Sequence, residues 1–331
     1  MADAGLRIGV IGATGAVGSE VLAVLAGSSL RVDEIFAAAT DRSVGQDVEF
    51  RGEAYPVRSA PLVFRGLDLL FLCAPPAVSL DCAREALRAR VPSIDLSGAL
   101  ALQEDVPLRL AGEPAAEDPG QAPLVASPTG AALAWALVLR PLDRAAGLRR
   151  VVGTALDAAS VGGRSGIESL FSESLAIFNQ HEAPEPGAFS RPVAFDCLPS
   201  IGPIGTDGRS AREAELTGSL ARLLGPRVQL AASVVQVPAF VGHGSALAVE
   251  TERPLDPKGA EVAFAAAERV ELWEGDEPGP TTRAAAGREA VLVGRVRRDP
   301  SLTNGLLLWL VADPLRLAAS CAVALAEARL R

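Results

Sequence analysis

Three glycines near the start of the chain have a spacing that could hold a phosphate group. They follow the apolar run at residues 8–11 and lie in the sequence GATGAVG. A strand, a glycine-rich turn and the N-terminus of a helix form the pyrophosphate site of a dinucleotide-binding βαβ unit. The spacing is GxxGxxG rather than GxGxxG, so a tight turn without a ligand is the competing interpretation. We predict that the phosphates of a dinucleotide bind to this turn, at Gly12, Thr14, Gly15, Ala16, Val17 and Gly18.

Thr40, Arg42 and Ser43 follow residues 34–39, which we predict to be the second strand. In a dinucleotide-binding fold, the end of this strand faces the adenosine ribose. A carboxylate there favours NAD, whereas an arginine with hydroxyl groups suits the additional 2′-phosphate of NADP. The sequence therefore favours NADP. An arginine in a solvated turn is the alternative interpretation, and the carboxylate of Asp41 would repel a phosphate.

Few residues are suited to nucleophilic or metal chemistry. The four cysteines are far apart and lack the spacing of a metal site, so we predict no bound metal and a reducing compartment. Cys73 ends an apolar run beside the predicted cofactor cleft, but a small core residue is its more frequent role. We expect the other three cysteines, Cys82, Cys197 and Cys321, to lie in the core. His181 lies in a polar loop and is expected to be solvated.

The first part of the chain alternates strands and helices, as in a doubly wound parallel sheet. The apolar run at 66–74 predicts a central strand, which is buried on both faces in such a sheet. A helix at 77–90 and strands at 92–95 and 124–126 follow. We predict an α/β fold whose N-terminal, Rossmann-type NAD(P)-binding domain covers residues 1–127.

From residue 128 this alternation is lost. The pattern predicts, in order, a helix at 131–140, a strand at 151–157, helices at 166–179 and 211–224, and strands at 228–238 and 246–252. Clustered strands favour an α+β domain with a mixed or antiparallel sheet, one face of which could pack on a second subunit. We predict a substrate and dimerisation domain over residues 128–312. A C-terminal helix at 313–331 is expected to pack back on the first domain.

Composition excludes several classes of partner. The net charge is −9, so the chain lacks the positive surface that nucleic acids or anionic membranes attract. No apolar run approaches the roughly 18 residues that a membrane span needs. We therefore expect no nucleic acid, no membrane association and a cytoplasmic location.

Together, these motifs resemble the aspartate-semialdehyde dehydrogenase family along nearly the whole chain. The segments that carry the resemblance are VIGATGAVG at 10–18, the loop at 40–45, AFDCLP at 194–199, residues 237–243, and residues 293–299 through 313–316. The resemblance implies NADP as cofactor and a homodimer formed mainly by the second domain. It also implies the reductive dephosphorylation of an acyl phosphate to an aldehyde through a thioacyl intermediate on a cysteine.

The resemblance places the family's nucleophile on a glycine. The family motif Asn-Pro-Asn-Cys reads Ser-Pro-Thr-Gly here, with Gly130 at the cysteine position. Glycine can neither attack nor leave, and the neighbouring Thr129 would need an activating base and a different orientation. The acid–base histidine of the family is retained as His243. Catalysis by His243 alone is doubtful, because a histidine without its nucleophile is more often structural.

The family's substrate-binding positions have also changed. Its glutamine falls on Asp157, two arginines fall on Ala101 and Gln236, and a lysine falls on Glu215. Neither glutamine nor alanine can replace the bidentate contact between an arginine and a carboxylate. We therefore expect a site with little positive charge, in which no substrate-binding residue can be assigned.

Three functions remain open. The one we favour is a non-catalytic homodimeric paralogue, similar to the Usg-type relatives that share the fold but lack the cysteine, which retains NADP or binds a protein partner. The second is an NADP-dependent oxidoreductase in which His243 donates a proton and no covalent intermediate forms. The third is a true aspartate-semialdehyde dehydrogenase, which Gly130 disfavours.

Overall fold

The computed structural model describes residues 5–40, 43–59, 64–112, 122–182, 184–185, 187–275 and 277–330. The described chain divides into two compact units. One comprises the described parts of Met1–Thr129 and Ala318–Arg331, and the other is Gly130–Leu317. The domain boundaries after residues 127 and 312 remain predictions from the sequence.

The first unit is built on a parallel sheet. Its elements are β1 (Leu6–Ile11), α1 (Ala16–Ala26), β2 (Val32–Ala39), β3 (Asp47–Phe50), β4 (Glu53–Pro56), β5 (Arg58–Ser59), β6 (Leu69–Leu72), α2 (Pro76–Ala89), β7 (Ser93–Asp95) and β8 (Leu124–Ala126). Within the described residues the strand order is β5-β2-β1-β6-β7-β8 with every neighbouring pair parallel, and β3 and β4 form a separate hairpin. This is the order of a dinucleotide-binding fold. The predicted Rossmann-type domain is confirmed.

The central strand β6 shows why the sequence folds in this way. All four of its side chains are buried, as a strand covered on both faces requires. It is shorter than the apolar run predicted at 66–74. Gly66 has a φ of 82° and forms a turn before the strand, and Pro75 and Pro76 begin the next helix. The strand therefore ends directly beside the predicted cofactor turn.

The second unit has a mixed sheet. Its elements are α3 (Gly130–Ala146), β9 (Leu148–Asp157), a 3₁₀ turn (Ala159–Gly162), α4 (Gly163–Phe178), α5 (Ala211–Leu224), β10 (Gln229–Gln236), β11 (His243–Thr251), α6 (Pro257–Ala265), β12 (Val270–Leu272), α7 (Thr282–Ala285), β13 (Val291–Arg298) and β14 (Gly305–Ala312). The strand order in the described residues is β10-β9-β11-β14-β13-β12, parallel at both edges and antiparallel between them. The predicted α+β architecture is confirmed, although the sequence analysis missed β12, β13, β14 and α6.

Helix α3 forms the centre of the second unit. Its residues 131–139 are all buried, and it contacts β9, β11 and α5. The predicted end of this helix at residue 140 is wrong, because the helix continues through Pro141 to Ala146. Leu142 and Ala146 beyond the proline are buried, and their packing offsets the hydrogen bond that the proline cannot donate.

The C-terminal helix α8 (Pro314–Leu330) belongs to the first unit from Ala318 onward. The Glu327 carboxylate accepts hydrogen bonds from the backbone N–H of Ser29 (2.9 Å) and from its hydroxyl (2.7 Å). Arg329 donates to the carbonyl of Ala122 at 2.7 Å. The predicted return of this helix to the first domain is confirmed.

In the described part of the chain, no helix combines the length and apolarity needed to cross a bilayer.

Candidate functional site

Three positions selected from the sequence lie side by side in the mixed sheet. Asp157 at the end of β9 is in register with Gln236 on β10 and with His243 on β11. Side chains of directly opposed residues project from the same face of a sheet. All three side chains are buried. The sheet therefore brings a carboxylate, an amide and an imidazole together in one row.

Both ring nitrogens of His243 have hydrogen-bond partners. Nδ1 lies 2.8 Å from Oδ1 of Asp157, and Nε2 lies 2.8 Å from the hydroxyl of Ser245. Trp135 on α3 donates its indole N–H to the same hydroxyl at 2.7 Å. With its proton on Nδ1, the imidazole donates to Asp157 and accepts from Ser245, and every group in this series of hydrogen bonds has a partner. With 1% of its side chain exposed, His243 has no nitrogen free for a substrate.

Arg212 places a guanidinium next to this row. Helix α5 begins with a capping box, in which the Ser210 hydroxyl accepts from Glu213 N–H and the Glu213 carboxylate accepts from Ser210 N–H. This start places Arg212 and Glu215 one turn apart. Arg212 donates from Nη1 to Glu215 at 2.7 Å and from Nε to Oδ2 of Asp157 at 3.4 Å. The guanidinium therefore joins two carboxylates.

The ion pairs stabilise the charged forms of both partners. Burial by itself would raise the pKa of Asp157, but the hydrogen bond from His243 and the charge of Arg212 hold that pKa below its ordinary value. Burial by itself would lower the pKa of Arg212, but the charges of Glu215 and Asp157 raise it. Asp157 and Arg212 are therefore both ionised at neutral pH.

Gly130 is the first residue of α3 and lies under the Arg212 guanidinium. An added Cβ at Gly130 would lie 2.5 Å from Nη2 of Arg212. Gly130 also has a φ of 53°, a conformation that side-chain-bearing residues rarely adopt. The position to which the resemblance assigns the nucleophile is thus occupied by the arginine and shaped for glycine.

The sequence-based prediction of this site did not include Arg212, whose charge is paired with the carboxylates of Asp157 and Glu215. The S-x-x-E sequence at 210–213 indicates a helix start, and the i, i+3 spacing of Arg212 and Glu215 places both on one side of that helix. These two signals were sufficient to find the pair. They could not show that the pair reaches Asp157, which is 55 residues away in the chain.

Gln236 does not supply the positive charge that the resemblance implies for its position. Its Oε1 is buried and has no hydrogen-bond partner in the described residues, while Nε2 lies 3.4 Å from the carbonyl of Val237. Ala101, on which the resemblance places the other arginine of the family, is buried in the first unit. Neither residue provides a cation for a carboxylate or a phosphate.

The glycine turn of the first unit has the close approaches that a phosphate site needs. Gly12 has a φ of 83°, and an added Cβ would lie 2.7 Å from the carbonyl group of Cys73. At Gly18 an added Cβ would lie 2.1 Å from the carbonyl oxygen of Gly12, so α1 packs tightly on the turn. Gly15 precedes α1, and no side chain among the described residues caps this helix. Its first N–H groups, which include those of Ala16 and Val17, are suited to a phosphate.

A groove of about 350 Å³ lies at the carboxyl ends of β1, β2 and β6, and Gly12, Thr14, Gly15 and Thr40 line part of it. The Thr14 hydroxyl donates to that of Ser43 at 3.0 Å, which connects the turn to the loop after β2. This edge, where the strand order reverses, is where open α/β sheets bind ligands. Arg42, the predicted 2′-phosphate ligand, and Asp41 lie outside the described residues.

Cys73 lines the same groove, but its thiol is not suited to attack. Burial raises the pKa of this thiol, and the negative charge of Asp95 raises it further.

The expectation that Cys197 lies in the core is wrong, because this residue is exposed and lies outside the helices and strands. No disulfide links any of the four cysteines, all of which lie in the described part of the chain. The described residues contain no cluster of three or more His, Cys, Asp or Glu side chains that could hold a metal ion.

Comparison with known proteins supports the two-unit fold. Residues 7–116 match the model of the semialdehyde dehydrogenase NAD binding domain, and residues 139–317 match that of the semialdehyde dehydrogenase dimerisation domain. These matches place both domains of the semialdehyde dehydrogenase family in this chain.

The relatives identify the family. Aspartate-semialdehyde dehydrogenase of Aquifex aeolicus is 30% identical over 98% of this chain and 97% of its own length. The crystal structure of aspartate semialdehyde dehydrogenase II from Vibrio cholerae superposes with a TM-score of 0.94 at 30% identity, covering 99% of both chains. A structure from Candida albicans with NADP shares the fold at a TM-score of 0.72, with 18% identity over 98% of both chains. The chain belongs to the aspartate-semialdehyde dehydrogenase family.

The lowered pKa of Asp157 predicts how stability depends on pH. Because the folded-state pKa lies below the unfolded-state value of about 3.9, the ionised carboxylate stabilises the fold above that value. This stabilisation is lost as the pH falls through the folded-state pKa. We expect Asp157→Asn to lower the free energy of unfolding at pH 7 by about 1.5–3 kcal/mol. We also expect it to flatten the decline of that free energy between about pH 5 and pH 3.

Urea unfolding at several pH values measures this effect. Asp207→Asn is the control, because Asp207 has a lowered pKa but is exposed on the surface, where an ion pair contributes little. Parallel pH curves for Asp157→Asn and the wild-type chain would contradict the assignment of Asp157 as the ionised centre of the cluster.

Proposed function

We propose that this chain is a non-catalytic, homodimeric member of the aspartate-semialdehyde dehydrogenase family that retains NADP binding. The observation that carries the proposal is the geometry at Gly130. Position 130 carries no thiol, its backbone has a left-handed conformation, and Nη2 of Arg212 lies 2.5 Å from the place that a Cβ would take. The family's covalent intermediate has no atom on which to form at this position.

The state of His243 supports the same proposal. A general acid or base must reach the proton that it transfers, within hydrogen-bond distance or through one water. Here both ring nitrogens are engaged by Asp157 and Ser245 inside the core. This arrangement disfavours an oxidoreductase in which His243 donates a proton during direct hydride transfer.

A true aspartate-semialdehyde dehydrogenase is the second candidate function. It is favoured by the relatives of that name, which align with nearly the whole of this chain. It would require a nucleophile other than a residue at position 130. Turnover of aspartate semialdehyde by the wild-type chain decides between the two candidates.

NADP fits the glycine turn of the first unit. The backbone of Gly12, Thr14 and Gly15 with the first turn of α1 would hold the pyrophosphate, and Thr40, Arg42 and Ser43 would face the adenosine ribose. The bound cofactor would supply hydride chemistry. The matched NAD binding domain and the NADP in the Candida albicans structure support nucleotide binding. Pro75 and Pro76, at the end of β6, have no backbone N–H groups, so this turn offers the cofactor fewer hydrogen-bond donors than glycines would.

The homodimer is supported by the match of residues 139–317 to a dimerisation domain. We include a further protein partner in the proposal, because a protein without the family reaction can act through binding. The cytoplasmic location remains a prediction from the sequence.

Restoring the cysteine should not restore the reaction. We expect Gly130→Cys to show no turnover of aspartate semialdehyde with NADP and phosphate, measured as NADPH formation. The new side chain would meet Arg212, and Gln236 would still fail to hold the substrate carboxylate. Gly163→Cys is a matched control for strain, because Gly163 has a φ of 65° but nothing within 4 Å of an added Cβ. Gly130→Cys should therefore lower the melting temperature more than Gly163→Cys.

Two results of this assay would count against the proposal. Turnover by the wild-type chain would establish the second candidate function and remove the non-catalytic assignment. Turnover by Gly130→Cys, with none by the wild type, would show that the remaining residues still bind the substrate.

Cofactor binding can be measured by calorimetric titration with NADPH and NADH. We expect NADPH to bind more tightly than NADH, and Arg42→Ala to remove most of that difference, because a guanidinium on a phosphate contributes about 1.5–3 kcal/mol. Arg65→Ala is the control, since Arg65 is an exposed arginine of the same unit. If neither nucleotide binds, the dinucleotide-binding fold is retained without its cofactor and this part of the proposal is wrong.

A further inference from the structure

The groove beside the glycine turn covers only part of the sheet edge at which a dinucleotide binds. The residues that line it lie within 11–15, 39–40 and 73–78, at the carboxyl ends of β1, β2 and β6. In the described part of the chain, no residue of β7 or β8 lines this groove. A dinucleotide-binding sheet has two halves, each of which holds one mononucleotide, and β6, β7 and β8 form the second half here. The groove therefore covers the first half and reaches only the nearest strand of the second.

The volume of the groove agrees with this limit. It is about 350 Å³, at the lower end of the range of roughly 300–1,000 Å³ that ligand pockets have. A dinucleotide consists of two nucleotides joined through their phosphates, so it needs more space than either nucleotide alone. The groove therefore suits one nucleotide with its phosphates.

The polar groups of the groove are concentrated in the first half of the sheet. The N–H of Ser19 donates to the carbonyl of Gly15 at 2.9 Å and makes the first hydrogen bond of α1. The N–H groups of the helix that precede Ser19 lie outside the helical ladder and can bind a phosphate. The hydroxyl-bearing residues Thr14 and Thr40 line the groove beside them. This half of the groove is therefore equipped to hold a pyrophosphate and the ribose next to it.

The turn after β6 offers fewer polar groups. The N–H of Cys73 donates to the carbonyl of Ile11 at 2.8 Å, and the two prolines at 75–76 have no N–H. In the first turn of α2, the N–H groups of residues 77 and 78 remain. The side chains that this turn adds to the groove carry no hydroxyl, amide or charge, and they are those of Cys73, Ala74, Pro75 and Val78. This wall of the groove is therefore largely apolar.

The turn after β7 uses its donors within itself. Asp95 is fully buried at the end of β7, and its carboxylate accepts from the N–H groups of Ser97 at 3.0 Å and of Leu100 at 3.2 Å. The Ser97 hydroxyl also donates to Asp95 and accepts from the N–H of Ala99 at 3.1 Å. In a dinucleotide-binding fold, the second nucleotide lies over this half of the sheet. The carboxamide of a nicotinamide would therefore find these donors already engaged.

We propose that the first unit recognises the adenosine diphosphate end of a nucleotide, and that it binds ligands without a nicotinamide as tightly as it binds NADP. This inference rests on the NADP binding of the proposed function and names the part of the ligand that is recognised. It is carried by a groove that ends at β6, by the available N–H groups of α1 and by the engaged donors after β7. The nicotinamide of a bound dinucleotide would extend beyond this groove and add no hydrogen bond of its own.

This mode of binding makes the site insensitive to the redox state of its ligand. The oxidised and reduced forms of NADP differ only in the nicotinamide ring. A dehydrogenase must hold that ring in place for hydride transfer, whereas a protein without the reaction has no such requirement. A site that does not contact the ring binds both forms equally. The chain would then respond to the total concentration of adenine nucleotides of this type and not to the ratio of their redox forms.

Calorimetric titration of the full chain tests this inference with two matched pairs of ligands. One pair is NADP and 2′-phospho-ADP-ribose, and the other is NAD and ADP-ribose, so that the members of each pair differ in the nicotinamide. The pair that the chain binds more tightly is compared. We expect its two dissociation constants to agree within about fivefold, the change that one net hydrogen bond to the nicotinamide would cause. The oxidised and reduced forms of the dinucleotide should agree within the same limit.

A substitution at Ala16, which is partly exposed in the first turn of α1, tests where the ligand is held. A carboxylate at a helix N-terminus stabilises the helix, so Ala16→Asp should fold, but its charge would repel a bound pyrophosphate. The matched control is Ala16→Asn, which adds the same volume without the charge. Relative to this control, we expect Ala16→Asp to weaken both members of the pair by the same factor, about tenfold or more. Thermal unfolding checks that both variants are folded.

The outcomes separate this inference from the proposed function. If the dinucleotide binds more than about fivefold more tightly than its nicotinamide-free partner, the nicotinamide is held by the protein. The inference is then wrong, while the NADP binding of the proposed function stands. An effect of Ala16→Asp on the dinucleotide alone would also overturn the inference. If no ligand of either pair binds, both the inference and the proposed NADP binding are wrong.

Discussion

The ion pair between Arg212 and Asp157 is the interaction on which the candidate site depends. Asp157 is nearly fully buried, and its two oxygens face His243 and Arg212. A buried carboxylate that loses its partners is strongly destabilising, so the arginine cannot leave without a cost of several kcal/mol. Its position over Gly130 follows from this constraint. The same contacts that keep Asp157 charged also close the space in which the family's nucleophile would lie.

The two units of the chain have diverged from the family to different degrees. The glycine turn of the first unit retains the close backbone approaches that a dinucleotide needs, at Gly12 and Gly18. The second unit retains the family fold, and the positions to which the resemblance assigns the reactive and substrate-binding residues hold Gly130, Asp157 and Gln236. A retained cofactor turn in one unit and altered reaction positions in the other are what the proposed NADP-binding, non-catalytic function requires.

The sequence predicted the elements whose signal is local. Apolar runs located β6 in the first sheet and β9, β10 and most of β11 in the second, and the glycine turn located α1. The sequence did not reveal that Ser245 engages the second nitrogen of His243 and accepts a hydrogen bond from Trp135, because Trp135 is 110 positions from Ser245 in the chain. The contact between Arg212 and Asp157 was missed for the same reason. Helix α3 continued past Pro141 because burial on both sides outweighs one lost hydrogen bond, which propensity alone does not indicate.

A double-mutant cycle between Asp157 and Arg212 tests the central claim most directly, namely that the chain's own arginine is held over Gly130 by a buried carboxylate. The free energies of unfolding at pH 7 are measured for Asp157→Asn, Arg212→Met, the double variant and the wild type. We predict a coupling energy of at least about 1 kcal/mol, as found for contacting residues in one network. Effects of the two substitutions that add to within about 0.5 kcal/mol would show that the residues do not interact, and would contradict the account.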